Sequence, residues 1–257
     1  MDLGQNINAS IDHARKLFTD FGRLVILIIL HIIPIVNLIV IGYYARNIRE
    51  TPTSDSPPKL EKYADLWING LKVAVAAIIY MIVPIILIII GALTLFAPLM
   101  LGMYRPGMWF IPAGFGGILL ASGIIIAFAV AIIMAMAIVH MIKSDSFGKA
   151  FAVGEIIGIV GRIGWGRYIL WLIVMFIFGI IVGAINSIPA IGWLISLIIA
   201  PIYGVFTSRS AALMYLDGVS PGAAPAAAVP AGKKFCMACG ASIPSEATFC
   251  PICGKPQ

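Results

Sequence analysis

Cys236, Cys239, Cys250 and Cys253 are the only cysteines in the chain, and they form two Cys-x-x-Cys pairs with ten residues between them. Two such knuckles bring four thiolates to one centre and can close a tetrahedral zinc site that leaves no position for a water. The expected Zn2+ is therefore structural rather than catalytic. Gly240 and Gly254 follow the knuckles, where the backbone must turn sharply so that amides face the sulfurs. A segment this short has almost no apolar core. Metal binding, worth about 10–16 kcal/mol in finger peptides, must supply its folding energy. Iron suits the same four thiolates. A redox pair does not suit two knuckles in one ribbon with no βαβ pattern around them. The metal pattern also predicts a reducing compartment for this end of the chain.

No other stretch carries a catalytic pattern. A nucleophile–base pair, a phosphate-binding P-loop, HExxH and paired intramembrane carboxylates are all missing from the sequence. Ionisable residues inside apolar runs would mark an ion path or an active site. Here the strongly polar groups within or beside such runs are His31, Asn37, His140 and Asn186. Asn37 and Asn186 sit next to expected helix breaks, where freed backbone groups need partners. His140 reads as an interfacial side chain beside Lys143, His13 as a solvated one, and Glu155 as solvated or paired with Arg162. No catalytic or cofactor-binding residue is assigned, and the expected protein is not an enzyme.

The elements that must position the metal module are unusual in composition. Apolar residues make up 61% of the chain and charged residues 11%, against about 25% charged in ordinary soluble domains. Four runs lack Asp, Glu, Lys and Arg altogether: Leu24–Ala45, Val73–Tyr104, Pro106–Ile142 and Tyr168–Ser208. One soluble core could not hide so much apolar surface, so the solvent must be lipid. Backbone polar groups in lipid must be satisfied internally, which predicts helices, and period-two alternation is absent.

The expected fold is an all-α polytopic membrane protein. A span needs roughly 20 apolar residues to cross about 30 Å of hydrocarbon. Four full spans are predicted: Val73–Ala97, Ala113–Ile142, Tyr168–Ile185 and Ala190 to about Met214. Leu24–Tyr44 is either a re-entrant hairpin broken at Pro34 or a fifth, kinked span. Ile33-Pro34-Ile35-Val36 resembles Ile188-Pro189-Ala190-Ile191, which makes a weak internal repeat of the broken-helix kind. Two amphipathic segments, Leu60–Lys72 and Asp145–Arg167, are predicted to lie in the membrane interface, as is the N-terminal stretch through Gly22. Ser10 is a candidate cap for the N-terminal helix, and Asp145 or Ser146 for the later one. Gly154, Gly158, Gly161 and Gly164, and the pair Gly179 and Gly183, predict close helix packing within the chain or between copies in a homo-oligomer.

The net charge is +6, but the basic residues sit in short loops beside apolar runs. There they orient helices and meet anionic head groups; no nucleic-acid partner is expected. Residues 45–72 and 143–167 and the C-terminal tail hold most of them, which predicts a cytoplasmic C-terminus in the cell membrane. Residues 1–217 make the membrane domain, 218–232 an Ala- and Pro-rich linker, and 233–257 the zinc ribbon.

The stretches IPIVNLIVIGYYARNIRE, YADLWINGLKVAVAAIIYMIVP, RIGWGRYILWLIV and SIPAIGWLISLIIAPIYGVFTSR resemble the membrane-protein family catalogued as domain of unknown function 4013. The last segment resembles the zinc-ribbon domain that many membrane proteins carry at one end. The resemblance implies a multi-pass helical protein and transfers no catalytic residues. Two functions fit: a scaffold or regulator whose cytoplasmic ribbon docks a protein partner, or a transporter or lipid-handling protein built from two broken-helix repeats. A polar mid-membrane cavity lined by His31, Asn37 and Asn186 would favour the second.

Overall fold

The computed structural model describes residues 1–100, 102, 110–219, 233–235, 242–244 and 249. The chain forms two units, Met1–Val219 and Ser220–Gln257. The first is helical: α1 (Leu3–Arg15), a 3-10 turn (Lys16–Thr19), α2 (Phe21–Ile32), α3 (Leu38–Glu50), α4 (Tyr63–Met100), α5 (Phe110–Lys143), a second 3-10 turn (Phe147–Phe151), α6 (Val153–Ile163), α7 (Trp165–Asn186) and α8 (Gly192–Val219). In the second, β1 (Lys233–Phe235) pairs antiparallel with β2 (Ser242–Pro244), Lys234 opposite Ile243. Composition predicts a short aromatic loop over Pro98–Pro112; α4 and α5 take in its two ends, and its Tyr104, Arg105 and Trp109 lie outside the described residues.

Among the described residues, four helices, α4, α5, α7 and α8, are long and apolar enough to cross a membrane. The chain is a multi-pass helical membrane protein. Their large buried side chains gather toward one end of the bundle. In α4 these are Leu66 and Ala76, in α5 Met136 through Ile142, in α7 Tyr168, Trp171 and Met175, and in α8 Val205 through Tyr215. The first 3-10 turn and helices α3 and α6 add Leu17, Tyr43, Ile156 and Val160 to the same core. The rest of each long helix turns its isoleucines and phenylalanines outward; Ile82, Ile125, Phe128 and Phe176 are all exposed. Such surface is unfavourable in water and favourable in lipid. The molecule thus has a packed tier and a lipid-facing tier.

Helix α4 corrects one expectation. Leu60–Lys72 is not a separate interfacial helix. Lys62 has φ +56°, and the helix from Tyr63 runs on unbroken through Lys72 and Pro84 to Met100. No Gly or Pro stands at 72–73, so a change of composition there does not interrupt the hydrogen-bond ladder. The first turns of α4 pack on α3, which crosses so closely that a Cβ on Gly42 would stand 1.8 Å from the Leu66 carbonyl oxygen. One on Gly70 would stand 1.8 Å from that of Leu38. Deeper in the membrane tier, Gly91, Gly116 and Gly123 bring α4 and α5 together in the same way. The glycines singled out in the sequence behave differently: a Cβ on Gly154, Gly161 or Gly183 would meet nothing within 4 Å. Tight packing within the chain therefore does not account for these three, whereas a Cβ on Gly179 would stand 3.2 Å from the Tyr203 hydroxyl.

The caps also differ from expectation. Asp2, not Ser10, starts α1, in a capping box with Gln5. Ser10 is buried in mid-helix and donates to the Asn6 carbonyl. Asp145 pairs with Arg49, Ser146 stands at the N-cap position of the second 3-10 turn without a side-chain bond, and α6 follows its N-cap residue Ala152, also without one.

Residues 24–44 form neither a straight span nor a gentle kink. The α2 helix has 12 residues, roughly 18 Å at 1.5 Å per residue, well short of a bilayer core. Arg23, at its start, donates to the carbonyls of Pro57 (2.7 Å) and Pro58 (2.8 Å), and the Tyr43 hydroxyl in α3 donates to that same Pro58 oxygen at 2.9 Å. The chain has therefore come back to where it began. The turn between is built like the one between α7 and α8. Ile35 has φ +69° and Ala190 φ +66°. Val36 N–H bonds Pro34 O at 2.8 Å and Ile191 N–H bonds Pro189 O at 2.9 Å. Asn37 N–H bonds Ile33 O at 3.0 Å and Gly192 N–H bonds Ile188 O at 2.9 Å. The weak sequence repeat is thus a repeat of backbone geometry, a three-residue turn with a left-handed centre.

Candidate functional site

The four ribbon cysteines lie outside the described residues. Their chemistry as a donor set, four thiolates and no imidazole or carboxylate, fits a closed zinc site. The paired strands bracket Cys236 and Cys239 in the sequence. Among the described residues no three His, Cys, Asp or Glu side chains converge.

The polar side chains of the helical unit converge where α1, α3 and α8 meet. Asn6 donates to the Ser210 carbonyl at 3.1 Å and accepts from the Ser210 hydroxyl at 2.6 Å; Trp171 Nε1 donates to that hydroxyl at 2.8 Å. Asn47 Nδ2 donates to Val205 O at 3.1 Å and Ser208 Oγ at 2.9 Å. Its Oδ1 stands 2.8 Å from His13 Nε2, and His13 Nδ1 stands 3.2 Å from Asp55 O. His13 is 3% exposed, so the solvated histidine of the sequence reading is a core residue. Burial holds it below its ordinary value, with Arg209 and Lys16 acting in the same sense and its two hydrogen bonds opposing. Its periodic position in α1 looks polar; only the approach of α3 and the 51–58 loop covers it.

Basic residues grip the carbonyl oxygens of the segment 49–61. Lys16 donates to Asp55, Arg209 to Ser54, Arg23 to Pro57 and Pro58, Arg46 to Lys59 and Glu61, and Lys143 to Arg49 and Thr51. A segment that reads as loop by composition is held by cations from five other places in the chain. These side chains were expected at lipid head groups; each of them also holds a loop carbonyl, Arg209 as a buried residue and Lys16 as an exposed one.

At the end of α5, His140 is 6% exposed. It lies between the Tyr215 hydroxyl at 2.9 Å and Glu155 Oε2 at 3.0 Å. Lys149 bonds both Glu155 oxygens, at 2.6 and 2.8 Å, and together with His140 holds that carboxyl below its ordinary value. Arg162, the partner expected for Glu155, donates instead to the Gly218 carbonyl. This chain of tyrosine, histidine, carboxylate and lysine fastens α5 to α6 and α8.

A polar cleft of about 730 Å³ opens beside the 51–62 loop, where Lys59, Lys62 and Lys72 alternate with Glu50, Glu61 and Asp65. Mixed charge of this kind marks a solvated surface with no sign preference. Two apolar pockets lie on the long helices. One, about 300 Å³, lies between α5 and α7, with Phe128, Ile132, Leu172 and Phe176 in its walls. The other, about 290 Å³, lies between α1 and the α7–α8 pair, with Phe178, Val182, Ile199 and Ile202 in its walls. His31, Asn37 and Asn186 line none of these three pockets. Asn37 begins α3 without a side-chain cap.

A zinc-ribbon domain matches residues 235–257. No curated protein and no solved structure matches the chain. A family described as protein of unknown function (DUF4013) matches residues 26–191. With everything from the middle of α2 to the left-handed residue Ala190 after α7 inside that match, the chain belongs to the DUF4013 family.

Proposed function

We propose that this protein is a non-enzymatic membrane scaffold or regulator whose zinc ribbon, tethered on the cytoplasmic side of the cell membrane, docks a protein partner. What supports this reading is the pairing of a ribbon whose Cys236, Cys239, Cys250 and Cys253 are spaced as zinc ligands with a membrane unit in which the buried side chains of His13 and Asn47, and of Asn6, Trp171 and Ser210, bond one another. A closed four-thiolate site has no open coordination position, so its use is to hold a small recognition surface. The α2–α3 pair is a re-entrant hairpin in this reading, with Arg23 and Tyr43 meeting at the same Pro58 carbonyl. The basic segments at 45–72 and 143–167 set the cytoplasmic side. Affinity capture with the intact chain and with a Cys236→Ser, Cys239→Ser form tests the docking. Partners recovered only with the intact ribbon are expected; the same partners from both forms would remove its basis.

A transporter remains the second reading, favoured by the matching turns at Ile35 and Ala190. Paired broken helices are a recurrent transporter device. The apolar walls of both pockets on the long helices weigh toward the scaffold.

A further inference from the structure

Helix α1 runs antiparallel to α8. The N-terminal ammonium lies 3.4 Å from Asp217, Asn6 bonds Ser210, and Ile11 and Ala14 reach Tyr203 and Phe206. α1 therefore descends along α8 toward the lipid-facing tier, and its last turn ends over a groove in the α7–α8 seam. Ile199, Ile202, Phe178 and Val182 line this groove, and Arg15 is the single charged residue in its lining. Its volume of about 290 Å³ has room for roughly ten groups of water size at about 30 Å³ each. That is one segment of an acyl chain.

Arg15 is free to take a partner. Lys16, Arg23, Arg46, Lys143 and Arg209 are committed to loop carbonyls, but the Arg15 side chain is 74% exposed and its ion-pair partner, Asp12, is distant at 3.7 Å. A guanidinium presents a planar fork of donors that suits a phosphate, and its stem can lie along apolar surface while the head reaches the interface. The second apolar pocket, between α5 and α7, has no charged residue in its lining. Nothing there selects a head group.

We propose that the groove between α1 and the α7–α8 pair is a binding site for an anionic phospholipid, one acyl chain lying against Phe178, Val182, Ile199 and Ile202 and the phosphate resting on Arg15. A zwitterionic lipid would present the same chain and phosphate, but its ammonium would sit beside Arg15 and oppose the contact. The preference should therefore lie in the head group.

The full-length protein in detergent, titrated with phosphatidylglycerol or phosphatidylcholine and read by native mass spectrometry, tests this. Phosphatidylglycerol is expected to bind about tenfold more tightly. Arg15→Gln should abolish the preference, Arg15→Lys should keep most of it, and Asp12→Asn, which frees Arg15, should strengthen it. Val182→Phe, which fills the groove, should weaken binding of both lipids. Thermal melting of each variant beside the wild type identifies any that fail to fold. Equal binding of the two lipids by the wild type overturns the proposal, and so does an undiminished preference in a folded Arg15→Gln protein.

Discussion

Nε2 of His13 stands 2.8 Å from Oδ1 of Asn47, and this contact ties the N-terminal helix to the hairpin 34 residues later. Asn47 shows its oxygen to the ring because its nitrogen faces the Val205 carbonyl, which can only accept. The other ring nitrogen faces a second carbonyl, that of Asp55, which Lys16 also serves at 2.8 Å. A neutral ring protonated at Nε2 makes the shorter bond and leaves Asp55 to Lys16. A charged ring would serve both oxygens, but at a buried site beside Arg209 and Lys16, and burial outweighs the gain.

The first prediction follows from that balance. The folded protein holds the His13 pKa below the unfolded value of 6.5. Below pH 6.5 the unfolded chain then binds more protons, so folding stability falls as pH drops through that value. Melting in detergent should show a lower Tm at pH 5.5 than at pH 7.5. In His13→Gln, which carries no titrating ring, the fall should be smaller. A variant with the same pH dependence as wild type would show that the ring does not set it.

Asn47→Ala removes the centre of the cluster and leaves Val205 O, Ser208 and His13 with fewer partners. A buried group stripped of its hydrogen bond costs about 1–3 kcal/mol. At about 2–4 °C per kcal/mol for a unit of this size, Tm should fall by several degrees. Asn69→Ala, which removes a bond to the Asp65 carbonyl within one exposed helical turn, should change little by comparison.

How much of this was legible in sequence depends on range. Charge-free runs located the four long helices, because lipid demands length and composition and little else. Pro34 and Pro189 marked the two breaks, and the repeated left-handed residue after each proline explains why the two stretches look alike. The core positions of His13 and His140 were hidden, since one sits on a polar face of its helix and the other beside Lys143 at the end of an apolar run, and only distant segments cover them. The Gly42–Gly70 crossing was hidden for the same reason: each glycine looks incidental until the other helix arrives. The stripe at Gly154, Gly158 and Gly161 misled as to packing within the chain, because spacing says where a close approach is allowed and not which surface makes it.

The glycines divide into two testable groups. At Gly42 and Gly70 a methyl group would run into the backbone of the facing helix. Overpacking of this kind costs about 1–3 kcal/mol, and more where backbone must move, so Gly42→Ala and Gly70→Ala should lower Tm clearly. At Gly154 and Gly161 the space is open, and Ala in a helix interior is better than Gly by roughly 0.5–1 kcal/mol. Gly154→Ala and Gly161→Ala should therefore raise Tm slightly in dilute protein. A drop at these two positions would show that something outside the single chain packs on the stripe.

The ribbon should carry metal through Cys236, Cys239, Cys250 and Cys253. Elemental analysis of the full chain should find one zinc per protein, and Cys250→Ser should lose it. Treating the wild type with a strong chelator should expose the segment after Gly232 to protease, since metal binding is the folding energy of such modules. Zinc content unchanged by Cys250→Ser would rule out the four-thiolate site.

The left-handed turns yield the last prediction. A residue with a Cβ at positive φ is strained by about 1–2 kcal/mol, and a β-branched residue is the least suited to it. Ile35 sits there at φ +69° with its side chain 73% exposed, so shortening it removes little packing. Ile35→Gly relieves the strain against a backbone-entropy cost of roughly 0.5–1 kcal/mol for the glycine. The net gain should be up to about 1 kcal/mol, a Tm rise of a few degrees. Ala190→Gly, at φ +66°, relieves less strain for the same entropy and should be near neutral. The order matters more than the size: Ile35→Gly above Ala190→Gly is what twin turns with unequal side chains require. If Ile35→Gly melts below wild type, the Ile35 side chain is contributing contacts to lipid or to another molecule that outweigh its backbone strain.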